Sequence, residues 1–141
     1  MNRFDLRGQT AVVGVGTFGC GEAHGYTEME LLARSAQMAV REAGLTMKDI
    51  DGVCTASVSS AMWGLAVPEY LGIHPRFLDG TMIGGSSFVA HLMPAMLALQ
   101  SGQCNAVLVC YGSTQRTATL GRKEMNASRR VLDPMPYEHP F

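Results

Sequence analysis

The sequence predicts an α/β fold with a mainly parallel sheet. Short apolar segments rich in β-branched residues alternate with longer segments in which apolar residues recur at helical spacing. The chain has 141 residues, of which 47% are hydrophobic, and a chain of that length buries about 70% of its unfolded surface in one core. We assign residues 1–114 to a single α/β domain. Residues 115–141 show no regular period, so we expect an irregular loop or an interface arm there.

The first half of the chain reads as a strand–helix–strand unit. Residues 10–16 are apolar and β-branched, as in a buried strand. A capping-box pattern at Thr27 predicts a helix over residues 28–43, which Gly44 would end in a left-handed conformation. Residues 52–58 form the next predicted strand, and this strand is parallel to the first if the helix is the crossover between them.

The second half is predicted around a strongly apolar helix. Residues 59–72 suit a helix, and residues 76–83 and 105–111 suit a third and a fourth strand. Between these strands, residues 88–99 leave almost no polar face, which is typical of a helix buried on all sides. Pro94 conflicts with one continuous helix because proline removes a backbone hydrogen bond. The helix therefore either bends at Pro94 or begins its regular part later.

Composition argues against several classes of partner. Charged residues make up only 16% of the chain, which is low for a small monomer and suggests that a partner covers part of the surface. Basic and acidic residues balance, at 11 and 12, and form no basic stripe, so we expect neither nucleic acid nor a membrane as partner. The sequence shows no signal peptide and no apolar run long enough for a membrane span, so we expect a cytoplasmic protein.

Metal and redox chemistry are also not expected. The four cysteines contain no C-x-x-C pair, and the histidines and acidic residues show no metal-ligand spacing. We expect reduced, mostly buried thiols and no metal site.

Gly14, Gly16 and Gly19 form a literal G-x-G-x-x-G after the first predicted strand. A dinucleotide fingerprint needs a helix that opens on these glycines and an acidic residue at the end of the following strand. Here the predicted helix does not begin until Glu28. A nicotinamide-binding module is therefore the less favoured interpretation, and a glycine-rich exit from a strand is the favoured one.

A second candidate site is the turn Gly84-Gly85-Ser86-Ser87 before the apolar helix, called here the glycine–serine turn. A helix N-terminus offers unpaired N–H groups and a positive dipole end, which stabilise a nucleophile or an oxyanion. Ser86 or Ser87 is the candidate nucleophile, and His91, one turn later, is the candidate base. The alternative, which we favour, is that the serines cap the helix and His91 is a buried structural residue, because no third residue is identified that would orient the imidazole.

Several segments, taken in order along the chain, resemble the thiolase superfamily. The matching segments are residues 11–17, 43–45, 49–53, 71–73, 84–87 and 98–109. More specifically, they are similar to the lipid-transfer-protein-like or sterol-carrier-type branch, described as acetyl-CoA acetyltransferases. The resemblance implies a three-layer fold, of which this chain is the N-terminal half, with a mixed, mainly parallel sheet. It also implies a buried central helix that begins at the catalytic cysteine.

The sequence departs from this family pattern in two respects. Counted back from Gly102 without gaps, the family's cysteine position falls on Gly85, and neither Gly84 nor Ser86 is a cysteine. The sequence therefore offers no cysteine thiol at this position for acyl transfer through a thioester. The chain also ends at Phe141, without the family's second half and its histidine motif. A fragment, an incompletely represented chain and a split subunit each fit this observation.

The resemblance implies an enzyme that acts on a coenzyme A thioester as substrate, with no bound cofactor. The reaction would be acetyl-CoA acetyltransferase-like acyl transfer, or retro-aldol cleavage as in the sterol side-chain aldolases of this branch. The candidate catalytic residues are Ser86 and Ser87, and the candidate substrate-binding residues are Gly84, Gly85, His91 and Gly112. The alternative function is a non-catalytic thiolase-fold subunit that binds coenzyme A or a partner chain.

Assembly with other chains is expected in either case. In the family, the strand before the central helix pairs across a dimer twofold axis. The resemblance thus implies a homodimer or a hetero-oligomer, with an OB-fold subunit as one candidate partner.

Overall fold

A small parallel sheet with helices packed against it organises the chain. The computed structural model describes residues 6–57 and 62–120. In chain order, its elements are α1 (Glu28–Glu42), a short 3-10 helix (Met47–Asp49), β1 (Gly52–Thr55), α2 (Trp63–Leu71), β2 (Phe77–Asp79), α3 (Ser87–Ala90), α4 (Leu92–Gln100), β3 (Val107–Cys110) and α5 (Gln115–Leu120).

Within the described ranges, the sheet has three strands in the order β2-β1-β3. Both neighbours of β1 run parallel to it, with Val53 opposite Leu78 on one side and Leu108 on the other. Because parallel neighbours need crossover connections, α2 links β1 to β2, and α3 with α4 links β2 to β3. The predicted α/β class is confirmed, and the three strands fall inside the segments predicted for them.

The first predicted strand, over residues 10–16, is wrong. No residue of this segment pairs with a strand in the described part of the chain. Val12, Val13 and Val15 are exposed by 73%, 64% and 67% of their surface. Apolar, β-branched residues occur both in buried strands and in extended segments outside a sheet. This pattern alone therefore does not predict whether residues 10–16 join the sheet.

Helix α1 forms as predicted, and its capping box is present. The Thr27 hydroxyl oxygen accepts a hydrogen bond from the Glu30 N–H over 3.2 Å, and the Glu30 carboxylate accepts one from the Thr27 N–H over 2.8 Å. The helix ends before Gly44, which adopts the left-handed φ of 71°. That conformation favours glycine because a Cβ would clash with the backbone.

The core lies where α1 and α2 cover one face of the sheet. Its buried members are Leu32, Ala36, Val40, Ile50, Val53, Trp63, Val67, Ile73, Leu108 and Cys110. Three of them come from successive turns of α1, so the helix presents one apolar stripe to the sheet. This packing holds β1 in place, and β2 pairs with β1 along the sheet.

The apolar segment forms two helices instead of one. Helix α3 ends at Ala90, and α4 begins at Leu92, with His91 between them. Pro94 then lies in the first turn of α4, where a missing N–H costs little because that group has no partner inside the helix. Of the two alternatives for Pro94, the later start of the regular helix is the correct one.

The predicted burial of this segment on all sides is not found in this chain. Val89, Leu92, Met93 and Leu97 are exposed by 72%, 42%, 55% and 51%. The reason is that the helices pack against the chain on one side only, through buried residues such as Ala95 and Ala98. The opposite side is called here the outer apolar face, defined by the four exposed residues.

The irregular segment predicted over residues 115–141 is corrected in its first part. Residues 115–120 form the short helix α5. The rest of that segment lies outside the described residues, as do residues 58–61, where the second predicted strand was expected to end and the next helix to begin. The proposed boundary after residue 114 stays a prediction.

Candidate active site

The glycine–serine turn lies between β2 and α3. Gly84 has a φ of 79°, in the left-handed region that favours glycine. Its carbonyl accepts a hydrogen bond from the Ser87 N–H over 3.1 Å, which closes the turn. Gly84, Gly85 and Ser86 are exposed, whereas Ser87 is fully buried. The turn therefore offers its first three residues to solvent and uses the fourth as an anchor.

The Ser87 hydroxyl is held by the turn itself. It donates to the Gly84 carbonyl oxygen over 2.7 Å and accepts from the Ile83 N–H over 2.9 Å. It also lies 3.6 Å from the Met82 sulfur. Because a hydroxyl has one proton and this one points to a carbonyl, the observed geometry fastens the turn and does not present a free nucleophile.

Ser86 is the accessible serine of the pair. It occupies the N-cap position of α3, but its side chain makes no capping hydrogen bond. Helix α3 has only four residues, so fewer peptide dipoles align at this turn than the long predicted helix would supply. The predicted serine cap is not formed here, and the exposed Ser86 hydroxyl is left available to a bound molecule.

His91 is buried and bonded away from the serines. Its side chain is 1% exposed, and its Nε2 lies 2.9 Å from the Thr81 carbonyl oxygen. A carbonyl only accepts, so Nε2 carries a proton and donates it to this oxygen. Nδ1 has no partner among the described residues. No hydrogen bond joins the imidazole to a hydroxyl of Ser86 or Ser87 within those residues, so the predicted serine–histidine pair is not assembled in this structure.

The hydrogen bond between Asp79 and Thr81 was not predicted from the sequence. The Asp79 carboxylate accepts a hydrogen bond from the Thr81 N–H over 2.8 Å, and the Thr81 carbonyl accepts from His91. Burial raises the pKa of Asp79, but the hydrogen bonds from Thr81 and the electrostatic interaction with His91 together lower the pKa below its ordinary value. The Asp79-Gly80-Thr81 succession directly after a strand is typical of an Asx turn, and that signal could have predicted it.

Gly112 is buried at the end of β3 and packs against α1. A Cβ added there would lie 2.1 Å from the Glu28 carbonyl oxygen, which is far too close. The preceding Tyr111 contacts Phe88 of α3, with ring centroids 4.5 Å apart. The end of β3 therefore lies beside α3, and the identity of Gly112 is explained by close packing.

The glycines of the G-x-G-x-x-G pattern also serve packing. A Cβ on Gly14 would lie 2.1 Å from the Ala39 carbonyl oxygen, and one on Gly16 would lie 2.1 Å from that of Ser35. Both glycines face the backbone of α1, which begins well after them at Glu28. This arrangement supports the glycine-rich packing interpretation over dinucleotide binding.

A groove of about 460 Å³ lies at the carboxyl ends of β1 and β2. It is lined by Thr55, Ala56, Ser57, Met62, Trp63, Gly64, Leu65, Leu78, Gly80 and Met82. In open α/β sheets, ligands bind outside the carboxyl ends of the strands. Met82 belongs to this lining and also lies next to the Ser87 hydroxyl, so the groove, called here the Trp63 groove, adjoins the glycine–serine turn.

The cysteines do not supply a nucleophile to the described site. Burial raises the pKa of Cys54 to about 12 and that of Cys110 to about 12. It also raises the pKa of Cys104, whereas Cys20 is exposed. The predicted buried thiols are confirmed for three of the four. Within the described ranges, no cluster of metal-binding side chains is present and no helix has the length and apolarity of a membrane span.

Comparison with solved structures identifies the architecture. An aldolase described as Ltp2-ChsH2(DUF35) superimposes with a TM-score of 0.70 over 86% of this chain and 32% of that one, at 22% sequence identity. A monomeric SCP2-thiolase like protein type 1 from Mycobacterium smegmatis superimposes with a TM-score of 0.56 over 69% of this chain and 22% of that one, at 24% identity. The fold is thiolase-like. The resemblance stated from the sequence is thereby confirmed at the level of the fold, although no protein-family model matches the chain.

Two curated proteins are related in sequence to this thiolase-like chain. A 17-hydroxy-3-oxo-4-pregnene-20-carboxyl-CoA lyase from Mycobacterium tuberculosis is 28% identical over 113 residues, which are 79% of this chain and 29% of that protein. A steroid side-chain-cleaving aldolase from Thermomonospora curvata is 27% identical over 107 residues, which are 75% of this chain and 27% of that protein. The chain therefore spans less than a third of the length of these relatives.

Proposed function

We propose that this thiolase-like chain is part of an enzyme that cleaves a carbon–carbon bond of a coenzyme A thioester by a retro-aldol reaction. The observation that carries this proposal is the sequence relation to two proteins named as a CoA lyase and an aldolase, over at least three quarters of the chain. The glycine at the family's cysteine position agrees with it, because retro-aldol cleavage needs no acyl-enzyme.

The reaction begins with a β-hydroxyacyl-CoA. A base takes the proton of the β-hydroxyl group, the Cα–Cβ bond breaks, and a carbonyl compound leaves. The electron pair of that bond remains as the enolate of the shortened thioester, which then takes up a proton at carbon. Negative charge develops on the thioester oxygen, so the main requirement is a set of hydrogen-bond donors aimed at that oxygen.

The exposed part of the glycine–serine turn suits this requirement. Ser86 has an exposed hydroxyl that makes no capping bond, and Gly85 lets a substrate approach the backbone without meeting a side chain. We assign Ser86 as a donor to the thioester oxygen. Ser87 and His91 then hold the turn in position, since both side chains are buried and bonded to backbone carbonyls.

Assembly with a second chain is part of the proposal. The outer apolar face of α3 and α4 consists of four exposed apolar side chains, and neighbouring exposed apolar side chains of this kind are typical of a protein–protein contact. The name of the solved aldolase, Ltp2-ChsH2(DUF35), contains two protein components. This supports a hetero-oligomer in which a DUF35-type chain takes the place of the expected OB-fold subunit.

The deciding experiment is a cleavage assay of the chain in its native complex with a β-hydroxyacyl-CoA. Retro-aldol chemistry predicts that a shorter acyl-CoA and a carbonyl product form without added free coenzyme A. Strict dependence on free coenzyme A, together with radiolabel transferred from acyl-CoA to Ser86 or Ser87, would instead indicate acyl transfer and would overturn the proposal.

A non-catalytic role is the second candidate, and one observation favours it. Ser87 and His91, two of the predicted site residues, are engaged in hydrogen bonds that stabilise the fold. If the chain is only a structural subunit, Ser86→Ala leaves turnover of the complex unchanged. A substantial loss of turnover with intact assembly would exclude this role.

A further inference from the structure

The Trp63 groove has no part in the bond cleavage described above, but its lining has the character of a binding site. Six of its ten lining residues are apolar: Ala56, Met62, Trp63, Leu65, Leu78 and Met82. We propose that the groove binds the apolar body of the acyl group, and that the Trp63 indole N–H donates a hydrogen bond to an oxygen on that body. This inference rests on the proposed function for its choice of a coenzyme A thioester as the ligand.

The exposure of the lining supports an apolar occupant. Met62, Leu65, Leu78 and Met82 are exposed by 63%, 58%, 40% and 42%. Contiguous exposed apolar side chains around a concavity mark a ligand or interaction site, because covering them removes apolar surface from water. The volume of about 460 Å³ lies in the range of small-molecule pockets, which is about 300–1,000 Å³.

Trp63 gives the groove its polar recognition element. The residue is 9% exposed, and its Nε1 is shielded from water without a hydrogen-bond partner among the described residues. An indole N–H only donates, so the group that satisfies it must be an acceptor such as a hydroxyl or keto oxygen. The ligand class is therefore an acyl-CoA whose apolar body carries a hydrogen-bond acceptor oxygen.

The groove is continuous with the glycine–serine turn. Met82 lines the groove and lies 3.6 Å from the Ser87 hydroxyl. Gly80 also lines the groove and lies between Asp79 and Thr81 in the sequence. The Thr81 N–H donates to the Asp79 carboxylate, and the Thr81 carbonyl accepts from His91. We therefore place the thioester attached to a ligand body in the groove at the neighbouring turn, which carries the exposed Ser86.

Gly64→Leu tests this site without disturbing the fold. A Cβ at Gly64 finds one neighbour within 4 Å, Leu78 Cδ2 at 4.0 Å, so a side chain fits and extends into the groove. Leucine also has a higher helix propensity than glycine, and the variant is expected to be at least as stable as the wild type. Glu69→Leu, on the exposed side of the same helix, is the matched control because it adds the same side chain away from the groove.

The measurement uses intrinsic fluorescence, since Trp63 is the only tryptophan of the chain. Titration of the complex with a cyclic acyl-CoA bearing a ring keto group is expected to change the part of the emission that is absent from a Trp63→Phe complex, whereas free coenzyme A is not. Gly64→Leu should raise the Kd for the acyl-CoA about tenfold or more, and Glu69→Leu should leave it unchanged. An unchanged Kd in Gly64→Leu, with Trp63 emission insensitive to the ligand, would overturn the proposal.

The hydrogen bond has its own test. Trp63→Phe keeps an aromatic ring and removes the donor, so in calorimetry it should weaken binding of the keto-bearing acyl-CoA and spare the same compound without the keto group. Equal weakening of both ligands would remove the hydrogen bond from the proposal. Failure of the proposed function looks different: the acyl-CoA would bind in a Gly64-dependent manner but would not be cleaved.

Discussion

Replacing each serine of the glycine–serine turn by alanine is expected to have a different effect: Ser87→Ala should lower stability, and Ser86→Ala should lower turnover. Ser87→Ala removes the donor to the Gly84 carbonyl and the acceptor for the Ile83 N–H. Each buried group left without a partner costs about 1–3 kcal/mol. Ile83 and Gly84 are themselves exposed, so water replaces part of the loss, and we expect a total of about 1–2 kcal/mol.

Ser86→Ala is the matched variant. The Ser86 side chain is exposed and makes no capping bond, so the change in the free energy of unfolding should stay within about 0.5 kcal/mol. If Ser86 donates to the thioester oxygen, its removal should lower kcat about 10²-fold, as for other oxyanion donors. Ser87→Ala should keep most of the turnover that its remaining folded fraction allows.

Urea unfolding followed by Trp63 fluorescence measures the stability of both variants, and the cleavage assay measures their turnover. The urea midpoint should fall in Ser87→Ala with an unchanged m-value, and it should stay at the wild-type position in Ser86→Ala. A Ser87→Ala variant as stable as the wild type but inactive would refute the structural role of Ser87. It would return this serine to the list of candidate nucleophiles.

Four further predictions concern the scaffold and its thiols. Gly16→Ala should destabilise the fold by about 1–3 kcal/mol or more, since its Cβ would meet the Ser35 carbonyl oxygen at 2.1 Å; an unchanged melting temperature would contradict the close packing on α1. Thr27→Ala should cost about 1 kcal/mol in the same measurement through loss of the capping box. The raised pKa values of Cys54 and Cys110, about 12 in both cases, predict that alkylation of the native chain at pH 8 modifies Cys20 first, as mass spectrometry would reveal. Because folding raises these values above the ordinary 9.0, the thiols add stability below pH 9 that is lost as the pH rises toward 12.

Short sequence patterns correctly predicted those parts of the fold that depend on contacts between residues close in the sequence. The start of α1 follows from Thr27 and Glu30, whose side chains bond each other's backbone within one turn. Pro94 likewise indicated that the apolar helix would not be continuous, and the break at His91 follows from it. In these cases the residues that determine the conformation are neighbours in the sequence.

The structure of residues 10–16 could not be predicted from short sequence patterns. The apolar and β-branched character of this segment is compatible with a strand, but its position is set by Gly14 and Gly16, which lie against the backbone of α1 at Ala39 and Ser35, distant in the sequence. The Trp63 groove has the same origin, because its lining comes from β1, α2 and β2 and exists only when the three are packed. Neither the position of residues 10–16 nor the groove produces a periodic pattern in the sequence, so neither could be predicted from one.

The glycine–serine turn combines both kinds of information. Sequence located it, since glycines followed by serines before an apolar helix are typical of a helix N-terminus near a reacting group. The roles within it depend on burial, which the sequence does not give: two adjacent serines differ because one hydroxyl faces the Gly84 carbonyl and the other faces solvent. A retro-aldol enzyme needs a donor that a substrate can reach, so the exposed Ser86 and not the buried Ser87 is the residue on which the proposed chemistry depends.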